Sequence, residues 1–220
     1  MGKFVSPDND VMVVYGGTFD PFHRGHEAIC HAILQYSFVK QLRFVPCHVS
    51  ALKAGATVSG IQRLQMLELW KNSQSDRLVI DPIELSREGT SYTLDTVLVL
   101  QKAFPGTQII LAMGADAWQS LPQWHGYDDL RSLVNIWVFT RLGQDRVESM
   151  PGWSRVDRCR ELKLSSPAHY FVDSSVRVAV SSTILRNGTE SLETQVPNVV
   201  FNYILKNNLY HRAFQESQGS

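Results

Sequence analysis

Compact apolar runs alternate along the chain with stretches whose apolar residues recur every three or four positions. Residues 11–15 are such a run and end at Gly16-Gly17, the pattern of a fully buried parallel strand. Over 25–36, Ala28, Ile29, Ala32 and Ile33 fall on one helical face. The alternation continues with a strand at 42–47, a helix at 61–71, a strand at 78–81, a helix at 93–104 and a strand at 108–113. Further strands are expected at 135–140 and 169–173, and an amphipathic helix at 198–207 begins after Pro197, a favoured first-turn residue. Within 61–71 the stripe of Met66, Leu67 and Leu69 is expected to face the sheet, with Arg63 structural. Thr93 is expected to cap the helix that follows it. Strands alternating with helices at this spacing indicate an α/β protein with a parallel, doubly wound sheet.

The segment 143–167 has weak periodicity and reads as a surface excursion or a short helix between strands, without a catalytic role. No repeat or linker divides the chain, so one domain over 1–220 is expected, with flexible ends at 1–10 and 213–220.

Charge narrows the range of partners. Lysine plus arginine total 21, as do aspartate plus glutamate, so no net field draws the protein to nucleic acid or an anionic membrane, and neither is expected as a partner. An anionic ligand must then be held by a local site. No apolar run approaches the length of a membrane span, and the first ten residues lack a secretory pattern, so a cytoplasmic protein is expected. Cys30, Cys47 and Cys159 are odd in number and have no CxxC spacing, which predicts reduced thiols rather than disulfides or a zinc site. The oligomeric state is left open.

The segment 16–26, GGTFDPFHRGH, joins the first strand to the first helix and carries the most chemistry. Ligands of open α/β sheets bind beyond the carboxyl ends of the strands, which is where this segment falls. Its glycines allow backbone to approach a ligand, and the following helix start offers N–H groups to phosphate. His23 and His26, with Gly25 between, can aim both imidazoles into one cavity. Neither the GxxxxGK[ST] phosphate loop nor the GxGxxG dinucleotide fingerprint is present, so a phosphate site here is of another type. Read one at a time, these residues are a turn, a loop breaker and two surface histidines; the whole string is harder to dismiss.

The string resembles the signature of the nucleotidyltransferase superfamily with an HxGH motif, here His23, Gly25 and His26. The superfamily's second signature, ISSTxxR, is similar to 180–186, VSSTILR. Within the superfamily the closest likeness is to the bacterial nicotinate-nucleotide adenylyltransferases and extends over nearly the whole chain. It is carried by QRLQMLEL at 62–69, SYT at 91–93 with Thr96 and Val97, MGAD at 113–116 and LPQW at 121–124.

The resemblance implies a Rossmann-like fold of the nucleotidyltransferase type and adenylyl transfer from ATP to nicotinate mononucleotide. It places His23, His26 and Arg186 in catalysis. Gly16, Gly17, Thr18, Phe19 and Gly25 would shape the ATP cleft, Gly114 and Asp116 would meet the ribose, and Arg141 the adenine. Ser181, Ser182 and Thr183 would face the triphosphate; Lys53, Thr93 and Trp124 would take the mononucleotide. Magnesium is implied with the ATP, on substrate oxygens rather than on a dedicated protein site. The chain departs from the family at 49–53: VSALK stands where PPHK or PPHR is usual, keeping the cation of Lys53 and losing the prolines and histidine. The same chemistry on nicotinamide mononucleotide or another phosphorylated acceptor, and a non-catalytic nucleotide-binding protein, therefore stand as alternatives.

Overall fold

The computed structural model describes residues 10–48, 57–87, 89–140, 147–164, 166–176, 181–187 and 191–210. Its strands are β1 (Val11–Gly17), β2 (Val39–Pro46), β3 (Leu78–Ile80), β4 (Gln108–Gly114), β5 (Asn135–Phe139), β6 (Ser154–Arg155) and β7 (His169–Asp173). They form one sheet in the order β3-β2-β1-β4-β5-β7-β6, with every pairing parallel. The order runs outward from β1 in both directions, so the chain reverses between β1 and β4. A crevice opens beyond the strand ends at such a switch point.

The helices are α1 (Arg24–Leu34), α2 (Gly60–Lys71), α3 (Thr93–Ala103), α4 (Ala115–Ser120), α5 (Tyr127–Leu133), α6 (Glu161–Leu164), α7 (Ser182–Arg186), α8 (Leu192–Gln195) and α9 (Asn198–Lys206). Successive β1 side chains alternate between two cores, as the strand period of two requires. Val11, Val13 and Tyr15 pack with Cys30 and Ile33 of α1, Met66, Leu67 and Trp70 of α2, and Val200 and Ile204 of α9. Met12 and Val14 pack with Leu94, Val97 and Leu100 of α3, Trp118 of α4 and Leu130 of α5. This two-sided burial gives β1 and β5 their continuous apolar sequences. It also fixes the doubly wound, Rossmann-like arrangement that the pattern predicts.

Several expectations need correction in detail. Leu69 does not face the sheet but is 41% exposed. Arg63, Met66, Leu67 and Trp70 occupy the buried positions of α2, and their spacing of three, one and three is the true helical stripe. Thr93 is not the cap of α3: Tyr92 holds the cap position in extended conformation and Thr93 is the first helical residue. Within 143–167 the short helix between strands is present as α6, which buries Leu162, and the structure adds the strand β6, paired with β7, and the buried Trp153 and Cys159. Two-residue and four-residue elements are too short to give a periodic signal. The polar Asp173 at the end of β7 also has a reason, because its carboxylate accepts from the Trp137 indole at 3.0 Å and the Ser175 amide at 2.9 Å.

The three cysteines are free thiols, and burial together with the charge of Glu27 pushes the Cys30 thiol up to about 12. Among the described residues no helix is long and apolar enough to cross a membrane. Lys53, Arg141 and nearly all of the two ends, 1–10 and 213–220, lie outside the described residues.

Candidate active site

The turn from β1 into α1 is built to hold two imidazoles at the switch point. Phe19 has a φ of 50° and turns its ring inward, where Tyr15, Phe22 and Phe44 surround it. A Cβ on Gly17 would come within 3.1 Å of that ring, so a side chain there would require the Phe19 ring to give way by a few tenths of an ångström. The next peptide, Asp20-Pro21, is cis. His23 then takes the N-cap position of α1 and stacks on His26 with ring centroids 3.6 Å apart. Tyr15, Phe19 and Phe22 enclose His26 at centroid distances of 6.0, 5.0 and 5.5 Å.

One hydrogen bond fixes the chemistry of the second imidazole. The His23 amide donates to His26 Nδ1 at 3.2 Å. An amide can only donate, so Nδ1 is the acceptor and the ring proton of neutral His26 resides on Nε2. The bond sets this tautomer beside the start of an 11-residue helix, whose first amides favour an anion.

The second motif docks directly on this turn. Ser181 caps α7, accepting from the Ile184 amide at 3.3 Å. Ser182 Oγ donates to the Pro21 carbonyl at 3.1 Å, and Arg186 Nη1 to the Asp20 carbonyl at 2.6 Å, joining residues 161 and 166 positions apart. Arg186 Nη1 also lies 3.9 Å from the Asp20 carboxylate, and Nη2 donates to Thr183 Oγ1 at 3.3 Å. These side chains therefore hold the histidine loop itself, while 29% of the Arg186 side chain stays exposed.

The other predicted residues that are described lie at the end of β4 and on or near α3 and α4. Gly114 ends β4, and Asp116 lies in the first turn of α4. A Cβ on Gly16 or on Gly114 would meet no atom within 4 Å. Neither glycine is required by packing or by a left-handed backbone, which leaves space for a ligand beside both strand ends. Thr93, at the start of α3, and Trp124 lie on segments that touch: the Tyr92 and His125 rings lie 4.4 Å apart, and Gly126 packs against Leu94 so closely that a Cβ would clash. Trp124 is half-buried, its indole donating to Ser120 Oγ at 3.4 Å. Ser91 accepts from the His48 amide at 3.1 Å, tying this region to the end of β2. Beneath it, Thr96 donates to the buried Glu84 at 2.8 Å, and burial raises the Glu84 carboxyl above its usual range.

Sequence reasoning gave Arg63 only a structural part, and the structure places it at the site. Its guanidinium, 1% exposed, donates to the carbonyls of Thr18 at 2.7 Å and Cys47 at 2.8 Å. It braces the loop after β1 against the end of β2. An arginine on the buried stripe of α2 was the available signal, because a buried guanidinium must find acceptors.

This loop at the switch point, clasped by a second motif from the far end of the chain, defines a nucleotidyltransferase, and the cytidylyltransferase-like family model matches residues 14–188. The chain belongs to the nicotinate-nucleotide adenylyltransferases within that class. It is 30% identical over 208 residues to the probable nicotinate-nucleotide adenylyltransferase of Marinomonas sp. (strain MWYL1), covering 90% of this chain and 94% of the relative. The probable nicotinate-nucleotide adenylyltransferase of Bacillus anthracis (strain CDC 684 / NRRL 3495) is 33% identical over 201 residues, 90% of this chain and 96% of its own. Among solved structures, the Plasmodium falciparum nicotinic acid mononucleotide adenylyltransferase complexed with NaAD shares the fold. Its TM-score is 0.73 at 18% identity, covering 92% of this chain and 98% of that one.

Proposed function

We propose that the protein transfers the adenylyl group of ATP to nicotinate mononucleotide, releasing pyrophosphate and forming nicotinate adenine dinucleotide, a step of NAD biosynthesis. The observation that carries this reading is the docking of Ser182 and Arg186 on the Asp20-Pro21 turn, which joins the second motif to the loop of the two stacked histidines. Gly16, Gly17, Thr18, Phe19 and Gly25 line the ATP side, with Ser181, Ser182 and Thr183 toward the triphosphate. Gly114 and Asp116 face the ribose and Arg141 the adenine. Thr93, Trp124 and Lys53 take the mononucleotide.

The mononucleotide phosphate oxygen attacks the α-phosphorus in line; the new P–O bond forms as the bond to the pyrophosphate oxygen breaks. The attacking oxygen is already anionic, so no general base and no protein nucleophile are required. Rate comes from alignment and from donors placed where charge accumulates. His26 Nε2–H, the first amides of α1 and the Arg186 cation supply that field. Asp20 spends both carboxylate oxygens on protein donors. The donors of this loop therefore suit the phosphates, and a magnesium ion would be held by substrate oxygens and water, neutralising charge on the leaving pyrophosphate. The balanced net charge supports a cytoplasmic enzyme of small molecules, without nucleic-acid or membrane partners.

The test is pyrophosphate release with ATP and magnesium, comparing nicotinate mononucleotide, nicotinamide mononucleotide and phosphopantetheine at equal concentration. Preference for the first is expected. Preference for the amide would trace to the 49–53 departure and replace the acceptor; no release with any of the three would sink the enzymatic reading.

A further inference from the structure

The loop that carries the histidines is gripped from the far end of the chain by a contact outside both motifs. Tyr210 follows α9 and buries its ring, and its hydroxyl donates to Asp20 Oδ1 at 2.5 Å. Asp20 is 1% exposed, and its other oxygen accepts from the Thr57 amide at 2.6 Å. With Arg186 on its carbonyl and near its carboxylate, Asp20 joins four segments: the histidine loop, the approach to α2, α7 and the chain after α9.

The backbone is bent at both ends of this contact. Tyr210 has a φ of 59°, and Phe19, directly before Asp20, a φ of 50°. Bulky aromatic residues rarely adopt this left-handed region, and such strain persists where surrounding contacts over-determine it. The hydroxyl–carboxylate bond lies between the two strained residues. Burial and the adjoining Asp20 charge push the Tyr210 hydroxyl well above its ordinary range, so the phenol stays protonated and always donates.

We propose that Tyr210 is a positioning residue for adenylyl transfer: acting through Asp20, it holds the turn that presents His23 and His26 to the ATP triphosphate. The C-terminal segment thereby completes the nucleotide site without touching the nucleotide. This rests on the proposed use of ATP at that loop.

Tyr210→Phe removes the hydroxyl and keeps the ring. We expect ATP affinity, read by calorimetry, to fall about tenfold, as for a lost buried hydrogen bond to a charged group, with KM for the mononucleotide unchanged. Tyr203→Phe, within α9 and bonded to the exposed Gln65, is the control and should match the wild type. Asp20→Asn should show the same ATP-specific loss, and adding Tyr210→Phe to it should cost little more, the non-additivity of two residues acting as one. Equal loss for both substrates, an additive double variant, or wild-type ATP affinity in Tyr210→Phe would overturn the proposal. Should Tyr210→Phe not fold, Asp20→Asn decides: unaltered ATP affinity overturns it. A wild type that binds ATP but transfers nothing to the mononucleotide defeats the acceptor assignment alone; one that binds no ATP defeats both.

Discussion

The imidazole of His26 is stacked on that of His23 with ring centroids 3.6 Å apart and accepts the His23 amide on Nδ1. The same contact that fixes the ring also places the proton of the neutral imidazole on Nε2. In the proposed mechanism, replacing His26 by alanine removes a donor to developing phosphate charge, for an expected loss of roughly a hundredfold in turnover. Pyrophosphate release under saturating ATP and mononucleotide measures it. A folded His26→Ala protein with full turnover would contradict the mechanism.

Arg63 acts on the same loop from below. Arg63→Met keeps the packing of the stem but leaves the Thr18 and Cys47 carbonyls without their guanidinium donors. Losing charge-assisted bonds to buried carbonyls costs about 3 kcal/mol. Urea unfolding should show the midpoint moving down with an unchanged slope, and a midpoint like that of the wild type would mean that solvent replaces the bracing.

The alternation of buried runs and helical stripes made the sheet legible, because β1, β4 and β5 are covered on both faces and carry near-continuous apolar sequence. The histidine loop was legible for a different reason: it is a contiguous string, so its chemistry survives in one dimension. The clasp on it was not. Tyr210 reads as an ordinary terminal aromatic, and nothing in its neighbourhood indicates a carboxylate 190 positions away. Arg63 was visible only as an arginine on a helix, since its partners are backbone carbonyls that every sequence possesses. The short elements α4 to α8 fall below the length at which a period can be read, and their positions are set by tertiary contacts such as Trp118 on Tyr170 at 4.5 Å.

Glu84 gives the fold a pH dependence of predictable sign. Burial raises its carboxyl from 4.5, against the opposing Thr96 hydrogen bond and Arg87 charge. The folded state then holds the proton to higher pH than the unfolded chain does, so stability declines as pH rises through the interval between 4.5 and the raised value. Glu84→Gln keeps an acceptor for Thr96 and cannot ionise. Its stability relative to the wild type should therefore grow as pH rises through that interval, read from urea midpoints at a series of pH values. Parallel curves would assign the raised carboxyl no part in stability.

Gly114 separates folding from binding. Its φ of −75° and ψ of 161° suit any residue, and a Cβ there meets no protein atom within 4 Å. Gly114→Ala should leave thermal stability unchanged or raise it by about 0.5 kcal/mol, since alanine loses less entropy on folding. If a nucleotide lies against the end of β4, the added methyl instead occupies ligand space, and overpacking of about 1–3 kcal/mol corresponds to a rise of roughly 5- to 150-fold in KM for ATP. The pairing of an unperturbed melting temperature with weakened ATP use is the expected signature. Unchanged KM would move the ribose away from Gly114 and Asp116, while a large fall in melting temperature would show that the space serves the fold and not the ligand.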